Sequence, residues 1–556
     1  GGGGGGGRGG GAERGGRGGR GGARRQGPPP GGYKGLRKHS ELVAQAKSLW
    51  ERIRDSENVK TAERQLLIAE LLALVKGQLM NIIAKHDGSR VLQACLKHGL
   101  AEHRRAVVGE LLEHALELTK KKYSRFLVKA MLKYACKEQR DALIKQFYGH
   151  VVSLVRHRDA SEVLEFAYST AADPLQRCCI LEELYSPEFA VFKPEKPRKL
   201  AHILEESPEK KAAIVKHMRE VLGGLVDKRL VYHSLVHKAL DQLFDLLEVG
   251  ERPDFASVLA PAAVDVVKSK EGASAAVKCA SYASAKDRKV MIRAMKGEVH
   301  NVCREEYGHL VVVRLLDVTD DTVLLRKAVL SEMIEHMALL LGEKHGRLAW
   351  LHLLAPASSK HFPPSAVAAL QPTFVPGPDG EDVCTSKKEP EVRRKELLKH
   401  VVEPLAKYME ENVGDLLLCQ YGHAVVVEFL SMPEELLTTD VSGVVEAIAE
   451  VAGADDGAEE EPFLQQMFAT RALRRLLRLD SGPAAGLAPA LAAKLKGRML
   501  ALTEHKASTF VVVSLLERKD TKAAVEKELK PAKKQLLAAA EQKQAGVAIL
   551  CKGLGF

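Results

Sequence analysis

Aromatic residues make up only 5% of these 556 residues, and no stretch of about 18 uninterrupted apolar residues occurs. The first scarcity argues against a β-sandwich or barrel, and the second against a helical membrane span and a membrane partner. The nine cysteines (Cys95, Cys136, Cys178, Cys179, Cys279, Cys303, Cys384, Cys419 and Cys551) are scattered without a CxxC, and the adjacent Cys178–Cys179 pair is not spaced for zinc. Neither HExxH nor a P-loop is present. No metal and no cofactor are expected, and the odd, unpatterned thiols read as buried and reduced.

What is present is Leu, Ala, Val, Lys and Glu. Apolar residues reach 46%, enough for a core, and the mixture favours helices. Charge is segregated. Residues 1–160 carry 31 basic and 15 acidic side chains, a net of +16, whereas residues 161–556 carry 52 and 57, a net of −5. A cationic third joined to a slightly acidic body points to a polyanionic partner.

Residues 1–35 hold 20 of the 46 glycines, with Arg8, Arg14, Arg17, Arg20, Arg24 and Arg25 among them. Nothing apolar there offsets chain entropy, so residues 1–38 are expected to be a disordered Arg-Gly tail. Such tracts contact RNA through charge and guanidinium stacking.

From about residue 40 apolar pairs recur at helical spacing, and a longer period overlies them. His86–Leu96 aligns with Lys122–Leu132, and Glu306–Leu316 with Gln420–Leu430. The same small or polar start followed by an apolar helix recurs near Ser161, His233, Ala273, Arg347, Thr470, Thr509 and Gly546, mostly 35–40 residues apart. Longer steps span Pro-rich insertions around 187–208 and 356–390. The expected fold is all-α: an α-solenoid of about eleven units, each burying its apolar face against the next. In the first unit Ser89, Arg90 and Gln93 fall on one side of the helix, opposite Val91, Leu92 and Cys95, and are expected to face outward.

Ser89-Arg90-x-x-Gln93 opening a helix in a repeat of this length resembles the base-reading triad of the Pumilio/Puf family, in which the outer positions contact a base edge and the middle one stacks. The segments His86–Leu96, Phe147–Tyr168, Leu204–Lys228 and Glu391–Lys399 are similar to its divergent nucleolar Puf-A branch, which carries eleven repeats. The resemblance runs from about residue 40 to the end. It implies a bent superhelix, non-catalytic RNA or DNA binding, work in large (60S) subunit ribosome assembly, and a C-terminal region of CPL type. The expected blocks are basic repeats at 39–186, middle repeats at 187–355, a Pro-rich insertion or linker at 356–396, and CPL-type repeats at 397–556.

The triad decays along the chain. The second unit reads as Ser124, Arg125 and Val128, and the third as Ser161, Glu162 and Glu165, a guanine-like edge pair. Later units put aliphatic residues at these positions, as at Val313, Leu351 and Val427, and aliphatics make no base-edge hydrogen bonds. A one-base-per-repeat code is therefore not expected. Cations gather in the same N-terminal units: Arg104, Arg105, Lys120, Lys121, Lys122, Arg125, Lys129, Lys133, Arg156, His157 and Arg158. If helical, Lys121, Arg125 and Lys129 form one stripe suited to a phosphate backbone. Tyr148, Tyr307 and Tyr421 each precede Gly-His, where helix-start packing is their expected role.

Three readings compete. The first is an RNA-binding ribosome-biogenesis factor in the nucleolus or nucleus. Its partners would be pre-ribosomal RNA, other structured RNA or DNA, large-subunit ribosomal proteins and assembly factors. The second is a sequence-specific mRNA repressor, and the third a helical protein scaffold. An enzyme is disfavoured, because histidines recur at repeat-equivalent positions such as His309 and His423 rather than converging. The C-terminal units, with the acidic run Asp455–Glu461, are expected to act mainly through protein contacts.

Overall fold

The computed structural model describes residues 30–55, 57–83, 86–454, 462–541 and 545–556. The six tail arginines and the run Asp455–Glu461 lie outside the described residues. The expected tail, 1–38, is helical from Pro30, where the leading helix Pro30–Arg54 begins. Proline suits a first helical position because its missing N–H has no intrahelical acceptor to lose.

Eleven helices start where the repeat pattern places them. They are α1 (His86–His98), α2 (Ser124–Tyr134), α3 (Ala160–Phe166), α4 (Ser234–Leu246), α5 (Lys270–Tyr282), α6 (His309–Val318), α7 (Arg347–Leu354), α8 (His423–Leu430), α9 (Met467–Leu476), α10 (Lys506–Glu517) and α11 (Ala545–Leu554). The chain divides into two compact units: residues up to 118 with 122–140, and 119–121 with 141–556. In the first, the leading helix packs on Thr61–Val75 and on α1, and α1 packs on α2. In the second, α4 through α11 each pack on the next, so a ladder of helices carries a continuous core. That is the α-solenoid arrangement, in which each repeat completes its neighbour's core. All nine thiols are free: five are buried, and Cys136, Cys178, Cys384 and Cys419 are half-buried. Burial pushes the Cys95 and Cys303 thiols up to about 12.

A steric device sets the register of seven of these helices. A Cβ at Gly88 would lie 2.0 Å from the carbonyl oxygen of Ile82, and one at Gly272 would lie 1.9 Å from that of Val266. Gly308, Gly346 and Gly422 press in the same way on the carbonyl six residues earlier. Where serine replaces this glycine, its hydroxyl donates to that carbonyl: Ser124 Oγ to Leu118 at 2.7 Å, and Ser508 Oγ to Leu502 at 2.6 Å. Ser124 therefore occupies the glycine position. The second repeat's outward trio is Arg125, Phe126 and Lys129, one residue later than the expected Ser124, Arg125 and Val128.

The 356–396 segment, expected as an insertion or linker, is a folded insertion. It forms the helix Pro364–Ala369, a two-stranded antiparallel hairpin of β1 (Phe374–Pro376) and β2 (Asp382–Cys384), and the helix Pro390–Leu398. Two arginines, each only 1% exposed, hold it against the repeats. Arg288 donates to the carbonyls of Ala280, Ser281, Val318 and Thr385 and to Thr385 Oγ1, at 2.7–3.0 Å. Arg314 donates to Ser281 Oγ, the Leu370 carbonyl and Thr373 Oγ1, at 2.6–2.8 Å. Asp320 accepts from Ser386 Oγ, from the Lys387 and Lys388 backbone N–H groups, and from Arg393. The earlier Pro-rich stretch is anchored similarly, by a two-pronged Arg198–Glu182 pair at 2.8 and 3.0 Å.

Candidate nucleic-acid interface

In the first unit the outward faces of α1 and α2 carry the polar residues, but not all those expected. Ser89 is 1% exposed, and its hydroxyl has no partner among the described residues. It follows the close-packed Gly88 and lies beneath the surface instead of facing outward. Arg90 is exposed and Gln93 half-buried, so two of the three triad members are accessible. On α2, Ser124 and Val128 are buried, whereas Arg125 and Lys129 are half-buried and Phe126 is 44% exposed. The Arg125 guanidinium lies 4.7 Å from the Phe126 ring centre and the Lys129 ammonium 6.0 Å from it. Lys122 sits 5.5 Å from the Tyr123 ring, itself 43% exposed, and Lys133 sits 5.4 Å from the Tyr134 ring.

The expected stripe is displaced. Lys121 precedes the helix, which starts at Ser124, so the aligned cations are Arg125, Lys129 and Lys133, at i, i+4 and i+8. Arg104 is committed elsewhere: its Nε donates to the Leu96 carbonyl at 2.9 Å, capping the end of α1. Arg105 is exposed on the helix Ala101–Leu111.

In the second unit Lys120, Lys121, Arg156 and Arg158 are exposed. His157 has a structural task, its Nδ1 accepting from the Asp159 and Ala160 N–H groups at 3.2 Å and capping α3. Ser161 is 1% exposed and donates to the Arg158 carbonyl at 3.1 Å. Glu165 accepts from Ser234 Oγ at 2.6 Å and the Leu235 N–H at 3.3 Å, capping α4. The guanine-like pair Ser161 and Glu165 is thus spent on packing.

In the middle repeats the same face is largely closed. His309 and Leu348 are buried, and Val313 and Leu351 are fully so. Burial pushes His309 down to about 4, against the bond from its Nδ1 to the Glu305 carbonyl, so the ring is neutral at pH 7. Residues of the folded insertion, among them Pro363, Ala366 and Phe374, line one cleft with Ser274, Leu310 and Leu348 of α5, α6 and α7. The insertion thus faces the triad positions of three successive repeats.

Sequence reasoning missed a basic face on α9. Arg471 is exposed and Arg474 and Arg475 half-buried, with exposed Arg478 just beyond the helix. Arg474 lies 4.4 Å from the Phe510 ring centre, and Arg475 pairs with Glu428 at 2.6 Å. The signal is legible as four arginines in Arg471–Arg478, but at repeat spacing it reads as one more decayed triad. Among the described residues no cluster of His, Cys, Asp or Glu is arranged to hold a metal.

Packed repeat helices in each unit, several registered by glycine or serine, with cations and aromatics on the outer face of α2, define an α-helical repeat protein of the Puf class. Comparison narrows this. The CPL (NUC119) domain family matches residues 342–483, a range that begins ahead of the insertion, where 397–556 was expected. Pumilio homolog 3 of Homo sapiens is 33% identical over 413 residues, 74% of this chain and 62% of that protein. Pumilio homolog 3 of Danio rerio is 34% identical over 418 residues, 75% and 64% respectively. The crystal structure of human Puf-A is similar with a TM-score of 0.83 at 29% identity, covering 92% of this chain and all of that one; human Puf-A in complex with DNA gives 0.81. The chain belongs to the Pumilio family, as a divergent Puf-A-like member. It spans less than two thirds of the length of these Pumilio homolog 3 relatives.

Proposed function

We propose that the chain is a non-catalytic nucleic-acid-binding protein that grips RNA by phosphate charge and stacking through its N-terminal repeats. The observation that carries this reading is the outer face of α2, where Arg125, Lys129 and Lys133 align around an exposed Phe126. Cations beside an exposed ring suit a backbone with unpaired bases, since every base offers a π-face. Human Puf-A crystallised in complex with DNA supports the same partner class. Base-by-base reading of an mRNA is disfavoured, because Ser89, Ser161 and Glu165 are buried or capping helices.

The likeness to the Puf-A branch extends the proposal to large (60S) subunit assembly in the nucleolus or nucleus, with pre-ribosomal RNA, ribosomal proteins and assembly factors as partners. Replacing Arg125, Lys129 and Lys133 with Ala is expected to weaken binding to structured RNAs of any sequence. For every phosphate left without its cation, the slope of log K against log salt should fall by about 0.7–0.9. Unchanged affinity and slope would refute the assignment of the face. Cross-linking in cells followed by sequencing tests the pre-ribosomal target, and imaging the tagged full-length protein tests the location.

A further inference from the structure

Proline follows serine or threonine only twice in the 556 residues, at Ser186-Pro187 and at Ser207-Pro208. The two pairs stand at the edges of the first Pro-rich stretch, away from the interface above. A Ser-Pro pair is the minimum that a proline-directed protein kinase reads, and a basic residue three positions on strengthens the match. Lys210 holds that position for Ser207, whereas the buried Phe189 holds it for Ser186.

The fold separates the two serines further. A kinase takes its target serine in an extended segment, so the flanking residues must leave the structure at small cost. Around Ser186 that cost is high: Tyr185 and Phe189 are 2% and 3% exposed, and their rings meet edge to face at 6.3 Å. Ser207 lies between the helix Leu200–Glu206 and the short turn Pro208–Lys210, with a non-helical φ of −144°. Glu205, Glu206, Pro208 and Glu209 around it are exposed, and its hydroxyl caps no N–H of the turn. Opening the turn breaks the bond from the Lys210 N–H to the Ser207 carbonyl, at 3.2 Å, and the turn itself contains no buried residue.

Lys210 has a second task. Its Nζ lies 3.1 Å from Glu188 Oε1 and 5.8 Å from the Phe189 ring centre, which ties the short helix Glu188–Val191 to the start of the helix Lys211–Asp227. The tied segment carries Val191 and Phe192, 75% and 73% exposed. A phosphate on Ser207 places about −1.5 to −2 charges three residues from Lys210 at neutral pH. Against one half-exposed carboxylate, such a group wins the ammonium. The other near cation, Lys211, is already held by Glu248 at 2.5 Å.

We propose that Ser207 is the phosphorylation site of a proline-directed kinase, and that its phosphate draws Lys210 from Glu188 and loosens the segment carrying Val191 and Phe192. The γ-phosphoryl group of ATP passes to Ser207 Oγ, the hydroxyl proton leaves to a base of the kinase, and ADP is released. The site does not depend on the nucleic-acid reading above.

The full chain, incubated with ATP and a cyclin-dependent kinase and mapped by mass spectrometry, tests the site. Ser207 is expected to gain phosphate about tenfold faster than Ser186, because only its flanks open cheaply. Ser207→Ala should abolish the main product and Ser186→Ala should leave it. Chymotrypsin should then cut after Phe192 about threefold faster in the phosphorylated chain than in the unmodified one. Glu188→Gln, which weakens the tie without phosphate, should show the faster cut from the outset and gain little on phosphorylation. If that variant misfolds, phosphorylated and unmodified wild type still decide. No incorporation, or labelling of Ser186 as fast as Ser207, overturns the site. Phosphate on Ser207 with an unchanged cut after Phe192 overturns the transfer of Lys210.

Discussion

The outer faces of α2 and α6 are built on the same backbone and dressed for opposite purposes. Each helix is registered by a position pressed on the carbonyl six residues back, Ser124 on Leu118 and Gly308 on Val302. On α2 the next residues outward are Arg125, Phe126 and Lys129, partly exposed, with both cations close to the ring. On α6 the equivalents are His309, Leu310 and Val313, of which only Leu310 escapes full burial. One repeat thus presents a charged face while the other turns an apolar face to a folded segment of its own chain. The scaffold fixes where side chains point, and their chemistry decides whether solvent, a polyanion or an insertion meets them.

The comparison breaks most severely at Arg288. All five of its N–H donors lie buried against carbonyl or hydroxyl oxygens, two of those bonds reaching Thr385 of the insertion. Burial lowers its pKa to about 10, opposed by Asp320, so it remains charged at neutral pH. Replacing it with Met leaves those carbonyls without donors and should cost about 3–5 kcal/mol. Urea unfolding gives the magnitude, and limited proteolysis within 370–390 gives the place. A variant as stable and protease-resistant as wild type would show that the insertion is not held as described.

Glu428 is a second anchor, with a smaller effect. It accepts from His361, at the root of the insertion, at 3.0 Å, and from Arg475 at 2.6 Å. Burial alone would raise its pKa, but these two bonds hold it at about 2. A carboxyl lowered in the folded state contributes stability that is present above its ordinary 4.5 and is lost as pH falls toward about 2. Glu428→Gln should cost about 1.5–3 kcal/mol at neutral pH and flatten the fall in stability over that acid window. A variant whose Tm tracks wild type from pH 7 to pH 3 would contradict it.

How much of this is legible in the sequence follows from the same residues. The eleven helix starts are readable because a small residue before an apolar helix is a local pattern. The second repeat reads one residue early because Ser124 has the identity of a triad member, whereas it stands in the glycine position and bonds Leu118. Ser89 and Ser161 have the right identity at the right spacing, but burial is set by how the helix start packs, which periodicity does not encode. The insertion is opaque for another reason. Its order comes from Arg288 and Arg314, which in the sequence look like any other surface arginine and lie up to 97 residues from their partners.

On the open face, the third prediction sharpens the contrast between charge and base reading. Phe126→Ala should weaken single-stranded RNA by about 1–3 kcal/mol, the worth of one base stacked on an aromatic ring, and should change duplex binding less. Its salt slope should stay near that of wild type, because every cation stays in place. Titrations of single and double strands at two salt concentrations separate this from the Arg125, Lys129 and Lys133 variant, which flattens the slope for both. Equal losses on both substrates would make Phe126 a packing residue.

The smallest effect compares two buried serines, one in the glycine position of its repeat and one just after it. Ser124 donates to the Leu118 carbonyl at 2.7 Å, in the buried start of α2. Removing that hydroxyl leaves a carbonyl without a donor, so Ser124→Ala should lower stability by about 1 kcal/mol. Ser89 is as deeply buried, but its Oγ has no partner among the described residues. A hydroxyl kept from water without a hydrogen bond is already a cost, so Ser89→Ala should be neutral or raise stability by up to about 1 kcal/mol. Neither change should alter RNA affinity, since neither side chain reaches the surface. Parallel urea titrations and a single RNA-binding curve for each variant suffice. If Ser89→Ala instead costs binding for one sequence only, then Ser89 does read a base edge, and the first repeat keeps a working triad behind its closed helix start.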